Sequence, residues 1–329
     1  MKRIAIMTSG GDSPGMNPAI RSVTRTGLNK GLEIFGIRNG YQGLLDDEFI
    51  PLDSHAVSGR IRDAGTFLGT SRCPEFKKEE VQLRALKIME KRRIDGLVVI
   101  GGDGSLTGAR ALHRYGLPVI GLPGTIDNDL FGTDMGIGVD TALNTIITLV
   151  DMIRATAASH RRCFVVEVMG RGSGYLALMA TISTGSQVAV IPEFRMNIEN
   201  IVRELDRRST NNHNASVILV AEGVCQGADF MQRLTEVGKV KQEVRLTVLG
   251  HVQRGGTPTH YDRLLASRMG EMAILALISG EKGSMVATVN GRMQLRDFDD
   301  ILDRRKGLPG DAIRLARNIG IEIGDVVES

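Results

Sequence analysis

The sequence has no tryptophan, and its nine phenylalanines and four tyrosines make up only 4% of 329 residues. Aromatic platforms on which single-stranded nucleic acid could stack are therefore not expected. An excess of either charge is lacking as well, with 41 Lys and Arg against 38 Asp and Glu. The basic clusters Lys91-Arg92-Arg93, Arg161-Arg162 and Arg304-Arg305-Lys306 are short and scattered. They read as solvated helix faces, so no nucleic-acid partner is expected. Only three cysteines occur, Cys73, Cys163 and Cys225, without metal-binding spacing. An odd number of thiols fits a reduced cytoplasm. No run reaches 18 apolar residues, so no membrane span is expected. After Met1-Lys2-Arg3 only Ile4 to Met7 precede polar residues, too short for a signal-peptide core.

Glycine, by contrast, is abundant: 40 of 329 residues, about 12% against a usual ~7%. The glycines concentrate in loops after apolar runs, where backbone must approach something closely. Strand runs are expected at Arg3 to Met7, Glu33 to Ile37, Leu97 to Ile100, Val119 to Leu122, Phe164 to Val168, Val188 to Ile191, Ser216 to Val220 and Arg245 to Leu249. Several are continuously apolar, as in parallel strands covered on both faces. Helical patterns lie between them. Met16, Ile20, Val23 and Leu28 line one helix, from near Pro14 to Gly31; Leu265, Met269, Met272 and Ala276 line another. The pattern predicts an α/β fold with two mostly parallel sheets. Ligands in such sheets sit beyond the carboxyl ends of strands.

Three polar loops directly follow strand runs. Thr8-Ser9-Gly10-Gly11-Asp12 leads into Ser13-Pro14-Gly15 at a helix start. It suits an anion, though a plain strand-to-helix turn also favours Gly and Ser. Gly101-Gly102-Asp103-Gly104-Ser105 opens a helical pattern and carries an acid where a metal would sit. Similar loops occur in NAD kinases and diacylglycerol kinases, so this loop points to a nucleotide and phosphoryl transfer rather than to one substrate. Pro123-Gly124-Thr125-Ile126-Asp127-Asn128-Asp129 places two carboxylates two residues apart beside a hydroxyl. An alternating backbone would put Asp127 and Asp129 on one side, one to accept a hydroxyl proton and the other to help organise metal. An Asp-rich turn is also commonly just a turn.

Seven ordered segments resemble the bacterial type of ATP-dependent 6-phosphofructokinase. They are Thr8 to Asp12 with Pro14-Gly15-Met16-Asn17, Gly65-Thr66-Phe67-Leu68-Gly69, Gly101 to Ser105, Pro123 to Asp129, Glu167-Val168-Met169-Gly170-Arg171, Ala221-Glu222-Gly223, and Leu249-Gly250-His251-Val252-Gln253-Arg254-Gly255-Gly256. The resemblance implies a phosphofructokinase-like α/β fold of two domains, each a mostly parallel sheet flanked by helices. An ATP-binding domain of residues 1–138 with 252–305 and a sugar-phosphate domain of 139–251 with 306–329 are expected. It further implies transfer of phosphate from ATP, with Mg2+, to the 1-hydroxyl of fructose 6-phosphate. Asp127 would be the general base and Asp103 the magnesium ligand, with Asp129 nearby. Arg171, Thr125 and the Gly11 N–H would stabilise the moving phosphoryl group. Tyr41, Arg72, Cys73 and Gly102, Asp103, Gly104 and Ser105 match the ATP side.

The sugar-phosphate side would use Thr125, Ile126, Asp127, Arg162, Met169, Gly170, Arg171, Glu222, Arg245, His251, Val252, Gln253 and Arg254. By themselves Arg162 reads as a surface charge, Glu222 as a turn cap and His251 as a core histidine. In the family, Arg162 and Arg245 reach a neighbouring subunit's sugar phosphate, which implies a homotetramer. Arg21, Arg25 and Arg154, with Gly185, Ser186, Gln187, Asn211 and His213, match a family effector site for ADP and phosphoenolpyruvate. That site departs from the family pattern at Ser54, Gly59 and Gln187, where charged residues are usual, and at Asn211-Asn212-His213-Asn214. The alternatives are a pyrophosphate-dependent enzyme, a catalytically silent sugar-phosphate or nucleotide sensor, and a generic NAD or lipid kinase. Gly104 and Gly124 favour ATP, since pyrophosphate-using relatives commonly carry Asp and Lys there.

Overall fold

A computed structural model describes the chain except residues 211–214, 238–239, 241 and 327–329. In chain order the strands are β1 (Arg3–Ser9), β2 (Glu33–Ile37), β3 (Phe49–Leu52), β4 (Gly96–Gly101), β5 (Val119–Pro123), β6 (Cys163–Val168), β7 (Val188–Val190), β8 (Phe194–Arg195), β9 (Ser216–Ala221), β10 (Val244–Val248), β11 (Ser284–Val289), β12 (Arg292–Asp297) and β13 (Asp325–Val326). The chain divides into two units. The first holds Met1–Ile126, Leu130–Thr141 and Arg254–Lys306; the second holds Asp127–Asp129, Ala142–Gln253 and Gly307–Ser329.

The first unit is a seven-stranded sheet in the order β12-β11-β5-β4-β1-β2-β3. Its inner pairings are parallel, and β3 and β12 are antiparallel edges. Successive side chains point to opposite faces, so each apolar strand feeds two cores. Ile4, Ile6, Val98 and Ile100 pack on one face with Met16, Ile20 and Val23 of helix Met16–Asn29 and Leu265 and Met269 of helix His260–Ser279. Ala5, Met7, Leu97 and Val99 pack on the other with Ala85 and Met89 of helix Glu79–Lys91 and Leu106, Ala109 and Leu112 of helix Asp103–Arg114.

The second unit holds a four-stranded parallel sheet, β10-β6-β9-β7, and the small antiparallel pair β13-β8. Cys163, Val165, Val188, Val190, Ile218 and Val220 form its core with Ile201 and Leu205 of helix Ile198–Thr210 and Phe230 and Leu234 of helix Gly227–Glu236. The three thiols are unpaired, and burial raises the Cys163 thiol to about 12. Among the described residues no helix is long and apolar enough to cross a membrane.

All eight strand runs expected from the sequence are strands, with ends shifted by a residue or two. The expected helix near Pro14 to Gly31 is Met16–Asn29. The hairpin β11–β12 was not anticipated, although Asn290-Gly291 signals it. Both residues have positive φ, 50° and 73°, as a tight type I′ turn requires. The strands β3, β8 and β13 were also missed, being short and, in β3, interrupted by Pro51.

Candidate active site

In the first unit, loops after three neighbouring parallel strands meet at the carboxyl ends of β1, β4 and β5. Ser9 and Gly101 are paired in register at the ends of β1 and β4, and Gly101 and Pro123 at the ends of β4 and β5. The backbones are close. A side chain at Gly101 would place its Cβ 2.6 Å from Ser105 Oγ and 2.6 Å from the Ser9 carbonyl. The Gly124 N–H donates to the Gly101 carbonyl at 3.0 Å. Thr125 stands beside Gly102, its Cβ 3.7 Å from where a Cβ at 102 would lie. Helix Asp103–Arg114 starts here, with Asp103 and Gly104 exposed and Ser105 buried. No heavy atom lies within 4 Å of the position a Cβ at Gly104 would take. A helix N-terminus, an exposed carboxylate and open space beside Gly104 together suit a phosphate chain with its cation.

The Pro123 to Asp129 segment departs from the expected alternation. The chain leaves β5 at Pro123, and Asn128 has φ 50°. An extended backbone is therefore not what relates Asp127 to Asp129. Asn accepts the left-handed region more readily than most residues. Thr125, Ile126, Asp127 and Asn128 are buried, Asp127 being 4% exposed, and Asp129 is half-buried.

Residues expected on the ATP side fall into two kinds. Arg72 is exposed and Cys73 half-buried, its thiol raised by burial. Tyr41 is buried, with its hydroxyl donating to the Ser105 carbonyl at 2.6 Å and its ring packed over Gly108. It therefore supports the loop from behind. Arg254 belongs to this first unit, where its Nη1 donates to the Asp12 carbonyl at 2.5 Å and lies 2.8 Å from the position of a Cβ at Gly11.

In the second unit, three further loops meet at the carboxyl ends of β6, β9 and β10. The Arg171 N–H donates to Glu222 Oε1 at 3.0 Å, and the Glu222 N–H to the Val168 carbonyl at 2.9 Å. Arg171 has φ 51° and is exposed; Met169 and Glu222 are half-buried. Gly170, at φ 144°, has no room for a side chain: its Cβ would meet the Ser173 carbonyl at 2.4 Å. His251 and Val252 are exposed on the short helical turn Gly250–Arg254. Gln253 is wholly buried. Its Oε1 accepts from the Met169 N–H at 3.1 Å and its Nε2 donates to the Gly250 carbonyl at 2.8 Å. Gln253, expected on the sugar-phosphate side, thus ties the Gly250 turn to the loop after β6 through its side-chain amide.

The family model for phosphofructokinase matches residues 3–277. The chain belongs to the phosphofructokinase family. It is 46% identical over 321 residues to the ATP-dependent 6-phosphofructokinase of Halalkalibacterium halodurans and 47% identical over 321 residues to that of Shouchella clausii. Each match covers 98% of this chain and 100% of the relative. Among solved structures, a phosphofructokinase from Saccharomyces cerevisiae superposes with a TM-score of 0.85 at 36% identity. That match covers 97% of this chain and 47% of the yeast chain.

Two groups of family residues lie away from these loops. Arg162 and Arg245 are at the amino ends of β6 and β10, opposite to Met169, Arg171 and Glu222. Both pair with Glu243, a residue the sequence reading passed over. Its signal was its place two residues before Arg245 where the chain enters β10, a spacing that puts both on one side if the extended backbone begins there. Of the expected effector residues, Arg21 is half-buried and Arg25 exposed on helix Met16–Asn29. Burial first, then Arg25, lowers the pKa of Arg21. Arg154 Nη2 donates to Ser186 Oγ at 3.3 Å, beside Gly185. Gln187 is used by the fold: its Oε1 accepts from the Val217 N–H at 2.7 Å. Asn211 and His213 lie outside the described residues.

Proposed function

We propose that this phosphofructokinase transfers the γ-phosphoryl group of ATP to the 1-hydroxyl of fructose 6-phosphate, giving fructose 1,6-bisphosphate and ADP, a step of glycolysis. The observation that carries the reading is the full-length identity with ATP-dependent 6-phosphofructokinases, together with the open space at Gly104. Asp127 takes the proton from the sugar hydroxyl as it attacks. Its burial limits competition from water. Arg171, Thr125 and the Gly11 N–H stabilise charge on the phosphoryl group in flight, and positioning supplies much of the acceleration. Met169, Glu222 and His251 hold the sugar. Gly102 to Ser105, Arg72 and Cys73 line the nucleotide, which assigns ATP to the first unit and sugar phosphate to the second.

No group of three or more potential metal-binding His, Cys, Asp or Glu occurs among the described residues. Mg2+ fits nonetheless, because it takes one or two carboxylates and completes its shell with phosphate oxygens and water. Asp103, exposed at the helix start, would hold it. When bound, the ion neutralises charge on the β- and γ-phosphates.

A homotetramer with shared sites is supported by the geometry of one sheet. β6 spans six residues, roughly 20 Å, between Arg162 at its amino end and Met169 beyond its carboxyl end. That separation agrees with arginines of one chain serving the sugar phosphate of a second copy. A cytoplasmic location agrees with three unpaired thiols. The test is Asp127→Asn. kcat should fall by roughly 10²–10⁴-fold with the KM for fructose 6-phosphate largely kept. A near-wild-type kcat would show that the proton goes elsewhere.

A further inference from the structure

Glu243 stands immediately before β10, and cations converge on it. β10 and β6 run parallel with Val244 opposite Cys163, so the preceding residues, Glu243 and Arg162, become neighbours. The Cys163 N–H donates to the Glu243 carbonyl at 3.0 Å and fixes that approach. Arg162 Nε donates to Glu243 Oε2 at 2.6 Å, while Arg245 Nη2 pairs with Oε1. One carboxylate thus uses both oxygens to hold two guanidinium groups. Arg162 first, then Arg245 and His160, keep its carboxyl below the usual range. All three side chains remain 30–52% exposed.

We propose that Glu243 is an internal stand-in for the substrate phosphate, occupying the Arg162–Arg245 pair in the free protein and yielding it to the sugar phosphate. This rests on the reading above that these two arginines receive the phosphate of fructose 6-phosphate. A phosphate dianion brings more charge and more acceptor oxygens to the same two forks. A carboxylate left beside it would repel it. The internal ion pairs are solvent-exposed, and such pairs are weak enough to exchange. Glu243 is then an affinity-setting residue: its charge competes with the substrate for every turnover and takes no part in the chemical step.

The opposite role, a brace that holds the arginines ready, predicts the opposite sign. Glu243→Gln and Glu243→Ala in the full-length enzyme separate the two by steady-state kinetics. The KM for fructose 6-phosphate should fall roughly 3- to 10-fold in both, with kcat and the KM for ATP unchanged. The gap from wild type should narrow as salt is raised. If wild-type protein phosphorylates fructose 6-phosphate and both variants show an unchanged or raised KM, the proposal alone is overturned. If wild-type protein does not phosphorylate fructose 6-phosphate, the underlying reading falls and the proposal with it.

Discussion

The buried phenol of Tyr41 donates a 2.6 Å hydrogen bond to the carbonyl of Ser105, in the first turn of the helix that follows Gly101-Gly102. Its ring lies 4.0 Å from that of Phe76 and fills the space over Gly108. Burial raises its pKa far above that of an exposed phenol, so it stays a donor at every working pH. The loop that we assign to ATP is thus held in place from the core side.

Tyr41→Phe removes that donor and leaves the ring. Losing one hydrogen bond to a carbonyl that keeps its place in the helix costs about 1 kcal/mol. The KM for ATP should rise about 2- to 10-fold, with the KM for fructose 6-phosphate unchanged. Equal effects on both substrates would show that Tyr41 does not act through the nucleotide loop.

Gly104 and Gly124 should answer differently to the side chains common in pyrophosphate users. A Cβ at Gly104 meets nothing within 4 Å, whereas one at Gly124 would lie 2.8 Å from Ile100 Cγ2 and 3.1 Å from Met16 Cε, both in the core. Gly104→Asp should fold normally and raise the KM for ATP tenfold or more, on the order of 1.4 kcal/mol. Gly124→Lys should lose about 1–3 kcal/mol of stability through overpacking. Thermal melts of the two proteins check the contrast, and a Gly124→Lys melt matching wild type would contradict it.

That contrast marks where the sequence stopped being readable. Strands such as Leu97 to Ile100 show themselves because apolar side chains on both faces leave a continuous run. Loops after β1, β4 and β5 show themselves because Gly and Asp punctuate those runs. Contacts between distant segments leave no such trace. Nothing in the string places Arg254 on the Asp12 carbonyl, 242 positions away, or Gln253 on the Met169 N–H. The turn at Asn128 was likewise hidden, since periodicity arguments assume a regular backbone. Polar edge strands such as Arg292–Asp297 lack the apolar signature, and only the Asn290-Gly291 turn betrays the hairpin.

Asp262 gives a pH dependence of stability. It is fully buried, accepts from the Gly138 and Thr141 N–H groups at 2.8 Å each, and receives the Thr141 hydroxyl. Burial outweighs these bonds and raises its pKa to about 6. The unfolded value is lower, so its contribution is fully present below about pH 4 and is lost as pH rises through 6. Raising the carboxyl from its usual range to about 6 corresponds to about 3 kcal/mol. Asp262→Asn removes this titrating carboxyl. Relative to wild type the variant should therefore be less stable at pH 4.5 than at pH 7.5, as read by chemical denaturation. A wild-type-minus-variant difference that does not change with pH would contradict the assignment.

Effector control should be weak. Arg21 and Arg25 on helix Met16–Asn29, and Arg154 beside Ser186, each keep a positive charge, but Gln187 spends its amide on Val217 and brings no charge. Ser54 and Gly59 bring none either. Only a difference in affinity between two quaternary states shifts their balance. Fructose 6-phosphate saturation should be nearly hyperbolic, with a Hill coefficient of about 1, little changed by ADP and only weakly inhibited by phosphoenolpyruvate. Strong sigmoidicity induced by phosphoenolpyruvate and reversed by ADP would refute this.

The most direct measurement is the rate of fructose 1,6-bisphosphate formation from fructose 6-phosphate and Mg2+, run separately with ATP and with pyrophosphate. Product with ATP and little or none with pyrophosphate is the expected result. Efficient turnover with pyrophosphate and none with ATP would contradict it.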